Sequence, residues 1–220
     1  MKKVPGIGKK WEVMSGAYVG PQSSPGAPWY ARPAVTQGPR EALVIGAGLA
    51  GSTTAASLAR RGWQVTVVER HDAPAQEASG NPQGVLYLKL SAHGTALSQV
   101  ILSGFGYTRR QLERLQRGRD WDACGVLQLA FDSKEAERQG KLAAAFDHNL
   151  LHALPRTEAE AVAGVALPAG GLFYPEGGWV HPPALCQKQL QHPGIRLVTH
   201  QEVLELRKVD QQWLAWRVTA

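Results

Sequence analysis

A short glycine-rich stretch, GAGLAG from Gly46 onwards, matches the pattern G-x-G-x-x-G and could hold a phosphate-bearing ligand. In this pattern Gly46 permits a tight turn, and Gly48 lets the backbone approach a pyrophosphate. Gly51 lets a following helix pack closely on the preceding strand. The N-terminus of that helix would present its free N–H groups and the positive end of its dipole to the phosphates. The stretch therefore predicts a dinucleotide-binding site.

The segments around the motif are those that such a site requires. Residues 42–45 form a short apolar run typical of a buried parallel strand, and Gly62 stands where a glycine would end the helix. Residues 64–68 alternate as a second strand, and Glu69 follows at the position of the acid that binds an adenosine ribose. An acid there disfavours NADP, although Arg70 beside it weakens this argument. The pattern leaves FAD and NAD equally open.

Composition limits the class of protein. The 220 residues suffice for one or two domains, and a net charge of +6 permits a nucleic-acid partner without requiring one. Two isolated cysteines and scattered histidines give no metal-site pattern, and no hydrolase motif is present, so no catalytic residue is assigned. No apolar run approaches the roughly 18 residues of a membrane helix, and no signal peptide is evident. We expect a cytoplasmic protein with no metal or membrane partner.

The rest of the chain predicts further helices and strands. A helix over residues 95–117 should be loosened or broken at Gly104 and Gly106. Its second half and the two residues after it carry five arginines, which indicate a solvated helix face more strongly than an RNA-binding stripe. Another helix, over residues 133–149, should be capped by Ser133. The pattern also predicts a helix near residue 182 and strands at 124–131, 171–174, 195–199, 203–208 and 213–218.

Two segments carry a resemblance to a known family. They are ASGNPQGVLYLKLSAH, which starts at Ala78, and YPEGGWVHPPALC, which starts at Tyr174. Together with the glycine motif and Glu69, they resemble the FAD-dependent oxidoreductases of the D-amino-acid-oxidase and glycine-oxidase type. Within that family the resemblance is stronger to bifunctional enzymes that modify tRNA. It implies an α/β fold, in which a Rossmann-type FAD-binding domain carries an incomplete β-rich substrate domain, and it favours FAD over NAD.

The resemblance also implies an activity. In those enzymes a flavin domain oxidatively removes the carboxymethyl group from 5-carboxymethylaminomethyl-(2-thio)uridine at the tRNA wobble position. A fused methyltransferase domain then methylates the exposed amine with S-adenosyl-L-methionine. The resemblance implies the first activity for this chain, with tRNA as partner, and no S-adenosylmethionine site. The alternatives are a small-molecule amine or amino-acid oxidase of the same fold, or an inactive nucleotide-binding fragment.

Site residues follow from the same resemblance. The three motif glycines would hold the pyrophosphate, and Glu69 the adenosine ribose. Residues 79–84 would line the flavin side, and Val203, in the predicted strand 203–208, would reach the adenine through its backbone. The complete cofactor-binding set is Gly46, Gly48, Leu49, Ala50, Gly51, Glu69, Arg70, Ser79, Gly80, Gln83, Gly84 and Val203.

The resemblance finally divides the chain. GIGKKWEVMSG is similar to the last strand of the methyltransferase domain, and PWYARP to the linker that follows it. We therefore expect a methyltransferase remnant over residues 1–16, a linker over 17–40, and the N-terminal part of the oxidoreductase domain over 41–220. Because the family's chains are much longer, we expect a fragment that retains flavin weakly by itself.

Overall fold

The computed structural model of the chain describes residues 2–5, 12–15, 38–209 and 212–216. The chain divides into two units, Met1–Pro39 and Arg40–Ala220. In the first unit, β1 (Lys2–Pro5) pairs antiparallel with β2 (Glu12–Ser15). Most of the predicted linker lies outside the described residues, so its assignment stays a prediction.

The second unit begins with a three-stranded parallel sheet. Its strands are β3 (Glu41–Ile45), β4 (Gln64–Val68) and β11 (Ile195–Val198), in the order β11-β4-β3. The helix α1 (Leu49–Ala59) connects β3 to β4, and Gly62, with φ +82°, lies in the turn that follows it. The predicted pairing of the first two strands is confirmed. The third strand is β11, and the segment predicted as a strand at 203–208 does not join this sheet.

One face of this sheet forms a core with α1. Val65 and Val67 are buried on the same face of the sheet, because alternate residues of a strand point to the same side. Ala55 and Ala59 of the helix are buried against them. The helix α5 (Pro182–Leu190) packs against α1 on the same side. This packing fixes the first turn of α1 directly beyond the end of β3.

The remaining strands build the predicted β-rich part. They form two antiparallel sheets, with strand orders β5-β10-β6 and β7-β9-β8. A hairpin of two further strands closes the described chain. The strands are β5 (Gly84–Leu86), β6 (Trp121–Asp122), β7 (Val126–Leu129), β8 (His152–Leu154), β9 (Gly171–Tyr174), β10 (Gly178–Val180), β12 (Glu205–Val209) and β13 (Gln212–Trp216).

Three helices cover these sheets: α2 (Ala96–Leu112), α3 (Ser133–Ala145) and α4 (Arg156–Ala163). A core of Leu88, Leu142, Leu172 and Tyr174 joins α3 to β9, and partly buried side chains of α2 pack against it. The α/β fold with a β-rich second part is confirmed.

Several local predictions are wrong. The helix α2 runs through Gly104 and Gly106 without a break, because Ile101, Leu102 and Phe105 pack on the core and offset the roughly 1 kcal/mol that each glycine costs. It also ends at Leu112, five residues early. The cap of α3 is Asp132, whose Oδ1 accepts the Glu135 N–H at 2.7 Å, and not Ser133, which is the first helical residue. The strand predicted over residues 124–131 is shorter than expected and spans only Val126–Leu129, as β7.

Candidate functional site: a nucleotide cavity at the end of the parallel sheet

A cavity of about 330 Å³ opens where β3 and β4 end and α1 begins. We call it the nucleotide cavity. Ligands of open α/β sheets bind at this place, beyond the carboxyl ends of the strands. Its walls come from the glycine loop, from the segment after β4 and from the loop before β12. The lining residues are Ile45, Gly46, Gly48, Val68, Glu69, Arg70, Ala75, Gln76, Glu77, Ser79, Gln201, Glu202 and Val203.

Each glycine of the motif has a different structural role. Gly46 has φ +90° and donates its N–H to the Val68 carbonyl at 2.8 Å, which closes the turn. A side chain on Gly51 would overlap the carbonyl oxygen of Gly46. A Cβ on Gly48 would lie 2.9 Å from the hydroxyl of Ser79. The close approach of loop and helix therefore requires glycine at position 51, and Gly48 leaves room for the Ser79 side chain.

The first turn of α1 follows directly on the glycine loop that lines the cavity. Gly48 provides no side-chain cap, and Ser52 is the first residue whose N–H is bonded within the helix, to the Gly48 carbonyl at 2.9 Å. The Leu49 N–H is bonded to Ser79 Oγ at 2.9 Å, whereas those of Ala50 and Gly51 have no acceptor within the helix. A helix start with amides unpaired by its own backbone suits a pyrophosphate.

Glu69 is the acidic residue of the cavity and is buried. Its Oε2 accepts the Ala47 N–H at 2.8 Å, and its Oε1 accepts the His71 N–H at 3.0 Å. A carboxylate has about four lone-pair positions, so each oxygen can still accept a ribose hydroxyl. Glu69 is therefore oriented by the glycine loop in the position expected of a ribose-binding acid.

A charged rim surrounds this end of the cavity. Arg70 forms an ion pair with Glu77 and lies 3.8 Å from a carboxylate oxygen of Glu202. His71 Nε2 lies 2.7 Å from Glu77 Oε1, and the hydrogen bonds from His71 and Arg70 lower the pKa of Glu77. The rim joins the segment after β4 to the loop before β12. Because Arg70 is already paired, it presents little free charge for an additional phosphate, which agrees with a ligand that is not NADP.

Two non-glycine residues in or beside the wall of the nucleotide cavity adopt a left-handed backbone conformation. Ala75 has φ 60° and is buried in the cavity wall, and His200 has φ 54° directly before Gln201. Such conformations cost about 1–3 kcal/mol and cluster at binding sites, where the surrounding structure holds them. No pattern in the sequence indicated either residue.

Six of the twelve predicted cofactor-binding residues line the nucleotide cavity, and the other six lie outside it. The six in the lining are Gly46, Gly48, Glu69, Arg70, Ser79 and Val203. Leu49, Ala50 and Gly51 lie behind the loop in α1. Gly80 ends a short 3-10 turn, and Gln83 and Gly84 lie further along, where Gly84 pairs with Val180. The predicted role of residues 80–84 on the flavin side stays a prediction. The expectation that Val203 belongs to a strand is wrong, since it lies in the loop before β12, although it does line the cavity.

A second cavity, of about 550 Å³, begins directly after β5. Tyr87 and Tyr174 stand edge to face in its wall, with ring centroids 6.2 Å apart. Burial raises the pKa of Tyr174, so its hydroxyl stays protonated at neutral pH. Lys89, on the loop after β5, and Arg138, on α3, also line this space. The sequence did not predict this cavity, because its walls lie up to about 90 residues apart.

Neither a metal site nor a membrane-spanning helix is found in the described part of the chain. Over those ranges, no three His, Cys, Asp or Glu side chains are grouped as metal ligands would be. No helix within them combines the length and apolar character needed to cross a membrane. Cys124 and Cys186 are both free thiols.

Residues 41–220 match the profile of the family described as FAD dependent oxidoreductase. The chain belongs to this family. The cofactor of the family is FAD, so the choice of FAD over NAD is confirmed. The glycine loop, the unpaired amides of α1 and the oriented Glu69 fit the pyrophosphate and ribose of that cofactor.

Several sequence relatives are named tRNA 5-methylaminomethyl-2-thiouridine biosynthesis bifunctional protein MnmC. One of them, from Pseudomonas putida strain KT2440, is 90% identical over 216 residues, which cover 98% of this chain and 33% of the relative. The Pseudomonas entomophila protein is 77% identical, with the same coverage. The chain thus spans about a third of the length of the curated relatives it matches.

Solved structures share the fold at lower identity. Glycine oxidase from Geobacillus kaustophilus superposes with a TM-score of 0.63 at 20% identity, covering 80% of this chain and 50% of the oxidase. L-alpha-glycerophosphate oxidase from Mycoplasma pneumoniae, solved with FAD bound, gives a TM-score of 0.63 at 24% identity, covering 82% and 50%. These similarities establish the fold.

Proposed function

We propose that this chain belongs to an enzyme that uses FAD to remove the carboxymethyl group oxidatively from 5-carboxymethylaminomethyl-(2-thio)uridine at the tRNA wobble position. The observation that carries the proposal is the 90% identity, over 98% of this chain, to a relative named for tRNA 5-methylaminomethyl-2-thiouridine biosynthesis. A cytoplasmic location accords with this function. We further propose that residues 1–16 belong to a methyltransferase domain, 17–40 to a linker and 41–220 to the oxidoreductase domain.

In this proposal the nucleotide cavity holds the adenosine and pyrophosphate of FAD. The first turn of α1 and the Ser79 hydroxyl bind the pyrophosphate, and Glu69 accepts hydrogen bonds from the ribose. The backbone of Val203 contacts the adenine, and Arg70 fixes the surrounding rim through Glu77. When bound, the flavin supplies an acceptor for the hydride on the carbon beside the substrate amine.

The flavin end would extend towards residues 80–84 and the second cavity. Support comes from chain order, since only the three-residue strand β5 separates Gln83 and Gly84 from Tyr87. An aromatic wall suits a nucleobase, because any base can stack on an aromatic ring. Lys89 could face the carboxylate of the carboxymethyl group. No residue is assigned as a catalytic acid or base.

The test is a chimera in which this chain replaces the matching third of the Pseudomonas putida relative. The purified chimera should be yellow and should release FAD on denaturation. It should convert the carboxymethylaminomethyl uridine of hypomodified tRNA, measured by mass spectrometry of the digested nucleosides. Its Glu69→Ala variant should bind FAD weakly and lose this conversion.

The competing activities are tested in the same chimera. Glycine and sarcosine should give no hydrogen peroxide above the background without enzyme. Turnover of these free amino acids with no conversion of tRNA would refute the proposal and favour a small-molecule oxidase. A colourless protein that enhances NADH fluorescence would refute the cofactor assignment of this site.

A further inference from the structure

A polar cleft of about 360 Å³ lies between the residues after α2 and the outer face of α5. We call it the arginine cleft. It is separate from the nucleotide cavity and shares no lining residue with it. Its lining is mostly charged or amide-bearing and consists of Arg114, Leu115, Gln116, Arg119, Asp120, His181, Ala184, Gln187, Lys188 and Gln191.

Two cations in the arginine cleft have no acidic partner. Across the described ranges, no carboxylate lies within ion-pair distance of Arg114 or Lys188, and both side chains are exposed. The neighbouring arginines differ, because Arg109 pairs with Glu176 and Arg117 pairs with Asp122. Pairing therefore neutralises Arg109 and Arg117. Within the described part of the chain, Arg114 keeps an uncompensated charge in the cleft, as Arg110 does outside it.

A third cation, Arg119, is fixed in position. Its Nε and one terminal nitrogen donate to the two carboxylate oxygens of Asp120, at 2.8 and 2.9 Å. Asp120 is buried, accepts the Gln116 N–H at 3.0 Å, and its carbonyl accepts the His181 N–H at 2.7 Å. The outer N–H groups of Arg119 point to solvent, because 68% of the side chain is exposed. A guanidinium held in this way loses little further entropy when it binds an oxyanion.

The helices on both sides of the cleft are held together below it. Leu112 and Leu185 pack in one core, and Gln189 donates to Gln111 at 3.4 Å. Arg60 of α1 also donates to Gln189. This packing fixes the backbone positions from which the Arg114 and Lys188 side chains extend. The cleft has three cations, one neutralised carboxylate and three glutamine amides, which is a lining for an anionic and hydrated group.

We propose that the arginine cleft binds a phosphate of the RNA backbone and so docks tRNA on the oxidoreductase unit. This inference rests on the proposed function for the choice of RNA. Phosphate contacts position a nucleic acid without reading its sequence, and Arg and Lys provide most of them. Arg114 and Lys188 supply the mobile charges, and Arg119 supplies the fixed fork.

The test measures binding of an unmodified, fluorescently labelled tRNA transcript to the chimera described above, by anisotropy between 50 and 200 mM salt. We expect the Arg114→Gln/Lys188→Gln double variant to bind about tenfold more weakly at the lower salt concentration. The slope of log K against log salt should become shallower by about 0.7–0.9 for each phosphate that the variant no longer neutralises. Lys134→Gln/Lys208→Gln removes the same charge from exposed positions elsewhere and is the matched control.

Several outcomes would overturn the inference. The double variant and the control could show the same slope, or a poly-glutamate peptide could bind to the cleft as tightly as the transcript. Lower FAD content in the Arg114→Gln/Lys188→Gln variant, with unchanged RNA binding, would assign the cleft a structural role instead. Because the transcript carries no modified uridine, binding is independent of the reaction. If the double variant keeps the salt slope of the unsubstituted chimera and the chimera converts hypomodified tRNA, only the role of the cleft is rejected. If the variant's slope is shallower but the chimera does not convert the tRNA, only the proposed activity is rejected.

Discussion

The nucleotide cavity and the arginine cleft are built from different parts of the chain. Backbone geometry shapes the glycine loop of the nucleotide cavity, where the Gly46 N–H bonds the Val68 carbonyl and Gly51 passes close to the Gly46 carbonyl. Side chains of α5 and of the residues after α2 form the arginine cleft. A backbone site tolerates few substitutions at its glycines, whereas a side-chain site can change one charge at a time. The two sites should therefore respond differently to mutation.

Gly51→Ala should have the largest effect. Its Cβ would overlap the carbonyl oxygen of Gly46 and lie 3.4 Å from Val44 Cγ1, and the Gly46 carbonyl is backbone that cannot move aside as a side chain can. We expect a loss of about 3 kcal/mol in the free energy of unfolding and loss of FAD binding. Gly104→Ala is the control, because nothing lies within 4 Å of its Cβ in an exposed part of α2. It should stabilise the chain by up to about 1 kcal/mol. Equal stability of the two variants in urea denaturation would contradict a site built from the backbone.

Glu69→Gln should have the next largest effect, since Glu69 is the buried side chain of the nucleotide cavity. One of its two carboxylate acceptors becomes an NH₂ group opposite the N–H of Ala47 or His71. An unpaired buried donor costs about 1–3 kcal/mol, and we expect FAD affinity to fall by tenfold or more. Glu202→Gln, at the exposed rim, is the control and should change the affinity little. Fluorescence titration with FAD distinguishes the two, and equal losses would exclude a special role for Glu69.

The difference between the sites also explains what the sequence could predict. The glycine motif, the strands on both sides of it and Glu69 lie within 30 residues, and each obeys a local backbone rule. Val203 came from resemblance alone, and its strand assignment was wrong. Local reasoning also failed at Gly104, where tertiary packing outweighs helix propensity. The arginine cleft joins Asp120 to His181, and no spacing rule connects residues so far apart in sequence.

The pH dependence of stability in an Asp120→Asn variant tests how Asp120 holds the Arg119 guanidinium in the arginine cleft. The hydrogen bonds from Arg119, and the one from Gln116, lower the pKa of Asp120. A depressed pKa in the folded state contributes stability above the unfolded value of about 4, and this contribution is lost as the pH falls through the folded pKa. At pH 7 the variant should be less stable by about 1–2 kcal/mol, and the difference should begin to narrow as the pH falls below about 4. Urea denaturation at pH 7, 5 and 3 measures it, with Asp72→Asn, at an exposed carboxylate, as control. A gap that does not narrow between pH 5 and pH 3 would show that the carboxylate charge is not the cause.

Gly48→Ala should have the smallest effect on stability, although it belongs to the same motif as Gly51. The atom nearest to its Cβ would be the Ser79 hydroxyl at 2.9 Å, and that side chain can rotate away, so we expect a loss below about 1 kcal/mol. The rotation would remove the acceptor of the Leu49 N–H and weaken FAD binding by a few fold. In the Gly48→Ala/Ser79→Ala double variant the contact is absent, and the stability cost of Gly48→Ala should disappear. A double-mutant cycle from thermal unfolding would measure this coupling. Additive losses would mean that Gly48 is required by the backbone, as Gly51 is, and that Ser79 does not share its space.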